Sequence, residues 1–298
     1  MSKLISEITK EGKGVFAYLT EPYRDAEKLL TKSIDENGKI VEQDIYNVAN
    51  QLLIRKFIKK IKNCESIINK AELQFDRILN KASHNFSFTH PDSDWLDYFF
   101  DLASKVSNEA IQQLWARILV QEHIEKGFVK KILINTLALL DAESARCFQN
   151  LCSLTYQMKA DEDIRTIPFV IYDNNIANLL EGYDGNIDSF QKYLDICPEE
   201  KELDYLAELG LITTTNLTES VYCIYSTEKA NVTFSCRGGE ITIESPFNEE
   251  SNMYQTEVSF VFFTNVGYSL YKILNVTEFD GLFEILKRFA ENQINDSN

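Results

Sequence analysis

Carboxylates with the spacing of metal ligands occur at one place in the sequence. Asp94, Asp97 and Asp101 recur at intervals of three and four residues, so a helix would carry them on one face. Carboxylate oxygens are ligands that Mg²⁺ prefers, so this face could serve a metal-dependent hydrolase or nuclease. Aspartates are also ordinary capping residues near the positive end of a helix. Capping accounts for the cluster without further assumptions, so we assign no catalytic residue, no metal and no cofactor from it.

A second candidate is a run of cations inside a segment free of glycine and proline. It consists of Arg55, Lys56, Lys59, Lys60 and Lys62. Such a run can bind nucleic acid or an acidic surface on a neighbouring subunit. It can equally be the solvated face of an amphipathic helix. No aromatic residues alternate with the cations on the basic face, which argues against a platform for stacking single-stranded bases.

Sequence motifs of well-known catalytic sites do not occur in this chain. It contains no glycine-rich phosphate loop, no G-x-S-x-G elbow and no H-E-x-x-H. Only three histidines exist, and no C-x-x-C pair supplies the close ligands of a zinc site. The cysteines are therefore expected to be small buried hydrophobic residues. They are Cys64, Cys147, Cys152, Cys197, Cys223 and Cys236.

One long helix is the first element that would position these residues. Residues 39–90 contain no glycine or proline, and their apolar residues follow helical spacing from Ile54 to Ile78. A helix of roughly 40 residues would be about 60 Å long. Helices of that length usually pack along a partner, as a hairpin or a coiled-coil dimer. Before it, we expect helical pieces in residues 1–32 and a turn at 35–38.

Shorter helices are predicted after the long one. The segment 90–94 is expected to cap one helix, and Ser107 to cap a second that carries a full apolar stripe around Trp115 and stops at Gly127. Glu122 falls on that apolar stripe. It is either a buried partner of a basic group, a site residue, or a side chain close enough to the helix end to reach solvent. Two further helices are expected at 132–140 and 141–151.

Charge divides the chain into two parts. Residues 1–150 contain 21 Lys+Arg and 21 Asp+Glu, whereas residues 151–298 contain 9 and 25, so the net charge of −16 lies in the second part. This acidic part should repel nucleic acid and anionic membranes. We expect three regions: a long-helix region (1–92), a helical core (93–160) and an acidic α+β region (161–298). The predicted fold class is mainly α with a smaller α+β part.

The acidic region combines one helix, several strands and two further helices. A helix over 199–209 ends at Gly210, strands follow at 221–226, 231–236, 240–244 and 257–263, and Gly238-Gly239 predicts a hairpin turn. Thr264 is a plausible N-cap, and a last helix is expected at 279–290. The order L-x-x-L-G-L-I, hairpin and T-x-x-G-x-x-L is similar to a winged helix. Its helix carries one lysine and no arginine, which favours protein over DNA contact. Residues 160–200 show no pattern that assigns an element.

The tryptophan helix and its neighbours resemble an uncharacterised bacterial family, catalogued as domain of unknown function 2806. The resemblance rests on Asp94-Trp95, Phe99-Phe100, Ala103, Val106-Ser107, residues 113–119, Glu122 and Gly127. The motif residues that it singles out are Trp95, Trp115, Arg117, Glu122 and Gly127. The likeness covers roughly residues 50–150. More loosely, the family resembles abortive-infection proteins of phage defence, which implies a bacterial setting and no particular reaction.

Three functions follow from these observations. The first is a non-catalytic interaction or scaffold protein, active in phage defence, that assembles through its long helices with a second copy or another protein. The second is a nucleic-acid-binding regulator that uses the basic run, and the third is the metal-dependent hydrolase or nuclease. No window of about 18 apolar residues could span a membrane, and residues 1–8 do not resemble a secretory signal, so we expect a cytoplasmic protein.

Overall fold

The computed structural model describes residues 45–81, 89–160, 163–170, 187–214, 223–226, 231–249, 252–257 and 261–295. The helical pieces expected in 1–32 and the turn at 35–38 lie outside this part of the chain. The chain divides into two compact units, residues 1–142 and 143–298. We expected boundaries at 92 and 160. Within the first unit, the long helix packs on the tryptophan helix.

Four helices make up the described part of the first unit. They are α1 (Ile45–Lys81), α2 (Ser93–Ala103), α3 (Glu109–Ile124) and α4 (Lys131–Leu139). The predicted long helix is confirmed: α1 has 37 residues, or about 55 Å at the usual rise per residue. Its partner is α3 of the same chain, which α1 contacts along the face that runs from Ile61 to Phe75.

The starts of α2 and α3 show how local side chains fix the helix boundaries. Asp92 caps α2, because its carboxylate accepts a hydrogen bond from the Asp94 amide at 3.0 Å. Asn108 caps α3, with its side-chain oxygen 3.0 Å from the Ala110 amide and 3.2 Å from that of Ile111. The prediction of Ser107 as the cap is wrong by one residue. Its hydroxyl instead lies 3.3 Å from the Asn63 amide nitrogen.

The second unit alternates helices with short antiparallel strands. In chain order they are α5 (Ala142–Ser153), β1 (Thr155–Ala160), β2 (Asp163–Pro168), α6 (Ile187–Ile196), α7 (Glu200–Glu208), β3 (Ile212–Thr214), β4 (Cys223–Ser226), β5 (Asn231–Cys236), β6 (Gly239–Glu244), β7 (Phe247–Asn248), β8 (Met253–Glu257), β9 (Val261–Phe263), α8 (Asn265–Leu274) and α9 (Leu282–Asn295). The strands form three sheets, β2-β1-β5-β6, β3-β9 and β4-β8-β7. The coarse prediction of a mainly helical chain with a smaller α+β part is confirmed.

One core fills the second unit between the four-stranded sheet and its helices. Apolar residues of the sheet pack with α6 and α9, whose contributions include Phe190, Tyr193 and Leu286. The alternation along β1, with Tyr156 and Met158 buried and Gln157 and Lys159 exposed, is that of a sheet with one covered face. Burial of these large side chains is the main stabilising term for the unit.

The β5–β6 hairpin is present, and its turn lies one residue before the predicted Gly238-Gly239. Cys236 pairs with Gly239, which leaves Arg237 and Gly238 as the loop. Both glycines are needed because α9 lies against them. A Cβ atom on Gly238 would lie 2.5 Å from the Cβ atom of Phe283, and Gly239 has φ +151°.

A tight junction joins α7 and β3 to β9 and α8. Gly210 has φ +71° and ends α7 where the sequence predicts the stop. Strand β3 pairs antiparallel with β9, and Thr264 caps α8 by accepting a hydrogen bond from the Gly267 amide at 3.0 Å. The Thr264 hydroxyl also donates to the Gly210 carbonyl at 2.6 Å. The last helix, α9, begins at residue 282, later than the expected 279.

Candidate functional site

The first described turns of α1 expose apolar and cationic side chains together. Leu53, Lys56, Phe57 and Lys60 follow the spacing of one helix face, which we call the α1 face. Leu53 is 64% exposed and Phe57 is 54% exposed. No side chain from residue 53 to residue 60 is buried, whereas Ile61 begins the buried stripe. An exposed apolar pair on one face of a helix can serve as a contact surface.

The charge around the α1 face has one sign. Residues 45–64 contain all five cations of the basic run and no carboxylate. All five are exposed, and Lys56, Lys59, Lys60 and Lys62 form no salt bridge within the described ranges. The basic run therefore does face solvent, as a surface for a partner requires. The local potential is strongly positive.

A buried polar network anchors α1 immediately after the α1 face. The Asn63 amide donates to the Ser104 carbonyl at 2.8 Å, and the Gln112 amide donates to the Val106 carbonyl at 2.9 Å. The Ser66 hydroxyl donates to the Gln112 side-chain oxygen at 2.7 Å. These bonds satisfy polar groups between α1 and the start of α3, and they fix the register of the two helices. Sequence reasoning missed the network, since a polar residue on an apolar stripe gives no sign of its partner.

The three aspartates of the possible metal site are exposed along α2. Asp94 lies in the first turn, where its amide bonds the capping Asp92. In the ranges that the structure describes, which include all three, no group of three or more His, Cys, Asp or Glu side chains could hold a metal ion. Within the described ranges, the three aspartates are therefore solvent-exposed side chains of α2 without a metal-binding cluster around them.

The tryptophans of the family motif build the core of the first unit. The Trp95 indole N–H donates to the Val129 carbonyl at 2.9 Å, and its ring stacks on Phe99 with centroids 5.1 Å apart. Phe99 in turn meets Trp115 edge-on at 5.1 Å, and Trp115 is fully buried. Aromatic contacts of this kind stabilise a core beyond the area they bury. Arg117, on the same helix, is half-buried.

Glu122 is buried, so of the three alternatives for this residue the one in which it reaches solvent is wrong. It is 2% exposed, and its two carboxylate oxygens accept hydrogen bonds from the amides of Gly127 at 2.6 Å and Val129 at 2.9 Å. Its partners are backbone amides, which the sequence could not identify. Gly127, with φ +85°, turns the chain so that both amides point back at the helix end. The motif residues Glu122 and Gly127 therefore act together to close the loop after α3.

Three thiols of the second unit are poor nucleophiles. Burial raises the pKa of the Cys147 thiol to about 12 and that of Cys236 to about 11. Burial also raises the pKa of Cys152 well above its ordinary value. Cys64, Cys147 and Cys152 are buried, as predicted, while Cys197 and Cys236 are half-buried. The side chain of Cys223 lies outside the described residues.

The outer side of α7 carries an acidic stripe. Glu200, Asp204 and Glu208 recur every fourth residue and are exposed, and Tyr205 beside them is 40% exposed. The one lysine on this side, Lys201, is paired with Glu199 at 2.8 Å. A phosphate backbone would be repelled by this surface, whereas a cationic partner would be attracted.

The comparisons with known proteins place both units in one family. Neither a curated protein nor a solved structure matches the chain. None of the helices in the described ranges is long and apolar enough to cross a membrane. The model of a family described as a protein of unknown function, DUF2806, matches residues 51–286. The match extends the resemblance seen around the tryptophan helix into the second unit. The chain belongs to the DUF2806 family.

Proposed function

We propose that this chain is a non-catalytic interaction protein that assembles through the exposed part of α1. The observation that carries the proposal is the exposure of Leu53 and Phe57 among cations on a helix anchored in the first unit. Burying the exposed part of each of these side chains in an interface would contribute about 1–2 kcal/mol. Two such residues on one face are a plausible centre for an interface, since apolar anchors contribute most of the binding energy.

A winged-helix-like role for α7, β3, β9 and α8 is part of this proposal. The β3–β9 pairing and the Thr264 bond to the Gly210 carbonyl support it, since they join a helix, a strand pair and a second helix. In that arrangement α7 would take the place of the recognition helix. Its acidic stripe favours a protein partner over DNA.

Binding of nucleic acid by the basic run is the second candidate. The exposure of all five cations favours it. Leu53 and Phe57 favour the first candidate, because contacts with phosphates do not need exposed aliphatic and aromatic anchors.

For the cellular setting we propose a bacterial response such as abortive infection, which the looser family resemblance supports. A panel of phages should form fewer plaques on cells that carry the intact gene than on cells that carry the Leu53→Ser/Phe57→Ser variant. Equal plaque counts across the panel would argue against this setting.

The experiment that tests the proposal is the mass of the full chain in solution. Nuclease-treated wild-type protein should self-associate below about 100 µM, where a micromolar Kd would show. The Leu53→Ser/Phe57→Ser variant should be monomeric. Leu73→Ser is the matched control, because Leu73 is 60% exposed on the same helix outside the α1 face. The proposal would be contradicted if the wild type stayed monomeric throughout this concentration range. It would also be contradicted if Leu73→Ser lost self-association to the same extent as Leu53→Ser/Phe57→Ser.

A further inference from the structure

We propose that the α1 face binds the acidic stripe of α7 in a second copy of this chain. The inference rests on the proposed function, because it names the surface that the α1 face contacts. It would pair the first unit of one copy with the second unit of another.

Pairing of two α1 faces with each other is the simpler alternative, and charge disfavours it. Residues 45–64 contain five cations and no carboxylate. Two such helices side by side would place lysines against lysines, and like charges opposed across an interface cost several kcal/mol. The first carboxylate on α1 is Glu65, which lies where the helix already packs on α3. The α1 face therefore needs an acidic partner.

The second unit supplies the acidic surface. Residues 1–142 contain 20 Lys+Arg and 20 Asp+Glu, whereas residues 143–298 contain 10 and 26, so the second unit carries the whole net charge of −16. Within it, α7 combines three exposed carboxylates with an exposed aromatic ring. Glu200, Asp204 and Glu208 form no salt bridge with any other described residue. A partner with cations and an apolar pair would complement this stripe in both respects.

The spacing of the two faces is compatible. Lys56 and Lys60 are four residues apart, as are Glu200 and Asp204, so each pair is separated by about 6 Å along its helix. Leu53 and Phe57 are also four residues apart. With the lysines opposite the carboxylates, the Tyr205 ring would lie beside this apolar pair. Exposed ion pairs contribute about 0–1 kcal/mol each, so the apolar side chains would supply most of the affinity. The charges would select the partner and its register.

A charge exchange between two variants tests the contact. The first variant, Lys56→Glu/Lys60→Glu, has an acidic α1 face, and the second, Glu200→Lys/Asp204→Lys/Glu208→Lys, has a basic α7. Each alone should self-associate at least about tenfold more weakly than the wild type, because attraction becomes repulsion. An equimolar mixture should assemble again, since each variant supplies the charge that the other needs. Recovery in the mixture would show that the contact is between chains.

The control is Lys126→Glu/Lys130→Glu, which changes the net charge of the first unit equally at two exposed sites in the loop between α3 and α4. It should associate like the wild type, and the circular dichroism of all variants should match. If the mixture of reversed variants stays dissociated, the α7 contact is overturned. If each reversed variant assembles alone while Leu53→Ser/Phe57→Ser does not, the contact is overturned and the proposed function stands. Wild-type assembly that requires added RNA or DNA would overturn both.

Discussion

At the scale of single residues, Glu122 has the most specific structural role in the family motif. Glu122→Ala would leave the Gly127 and Val129 amides without their carboxylate acceptor. We expect a loss of about 2–3 kcal/mol in the free energy of unfolding, because hydrogen bonds to a charged group are lost and the Val129 amide is buried. Denaturant unfolding followed by tryptophan fluorescence measures this loss, since both tryptophans lie in the first unit. Glu125→Ala, at an exposed position nearby, should change the free energy by less than about 0.5 kcal/mol.

His123 predicts how the first unit responds to acid. Burial lowers the pKa of its imidazole below the ordinary 6.5; the nearby charge of His90 lowers it further, and the Leu119 carbonyl opposes both. Below pH 6.5 the unfolded chain therefore binds more protons than the folded one, so stability falls as the pH decreases. Between about pH 7.5 and 5.5, the denaturant concentration at the midpoint of unfolding, followed by tryptophan fluorescence, should decrease more for the wild type than for His123→Gln. His90→Gln, at an exposed position, should keep most of the wild-type dependence of this midpoint on pH.

At the scale of elements, periodicity and capping chemistry predicted the helices well. The absence of glycine and proline located α1, and Gly210 and Thr264 marked the end of α7 and the start of α8, because each signal is local. The features that the sequence did not predict depend on contacts between residues distant in sequence. The elements described within residues 160–200 include β2 and α6, which pack into the common core of the second unit. The burial of Glu122 likewise depends on a loop that the helix pattern does not describe.

The junction of α7 with α8 requires a glycine at position 267. A Cβ atom there would lie 1.8 Å from the Leu211 carbonyl oxygen, which is a backbone atom and cannot rotate away. Gly267→Ala should therefore push α8 from the β3–β9 pair and destabilise the second unit by about 3 kcal/mol. Faster hydrogen exchange in α7 and α8, with an unchanged tryptophan signal, would locate the effect. Asn265→Ala, two residues earlier and exposed, should exchange like the wild type.

At the scale of the whole molecule, the family match and the charge distribution concern the same two units. The match runs from residue 51 to residue 286, so it includes both the cations of α1 and the acidic stripe of α7. The cationic surface lies on a unit without net charge, and the acidic surface lies on the unit that carries −16. The proposed contact between these surfaces would be of a head-to-tail kind, which closes into a ring or extends, depending on the rotation between copies.

Salt separates this arrangement from a contact made by apolar residues alone. The Debye length shortens from about 10 Å at 0.1 M to about 3 Å at 1 M, so attraction between exposed charges is largely screened at the higher concentration. Burial of Leu53 and Phe57 would not be weakened by the same change. We therefore expect the self-association of nuclease-treated wild-type protein, measured by sedimentation equilibrium, to weaken between about 0.1 and 1 M NaCl. The reversed variants, each measured alone, should show the opposite trend, because salt screens their repulsion. Wild-type association that stays constant or strengthens at high salt would mean that charge does not select the partner of α1.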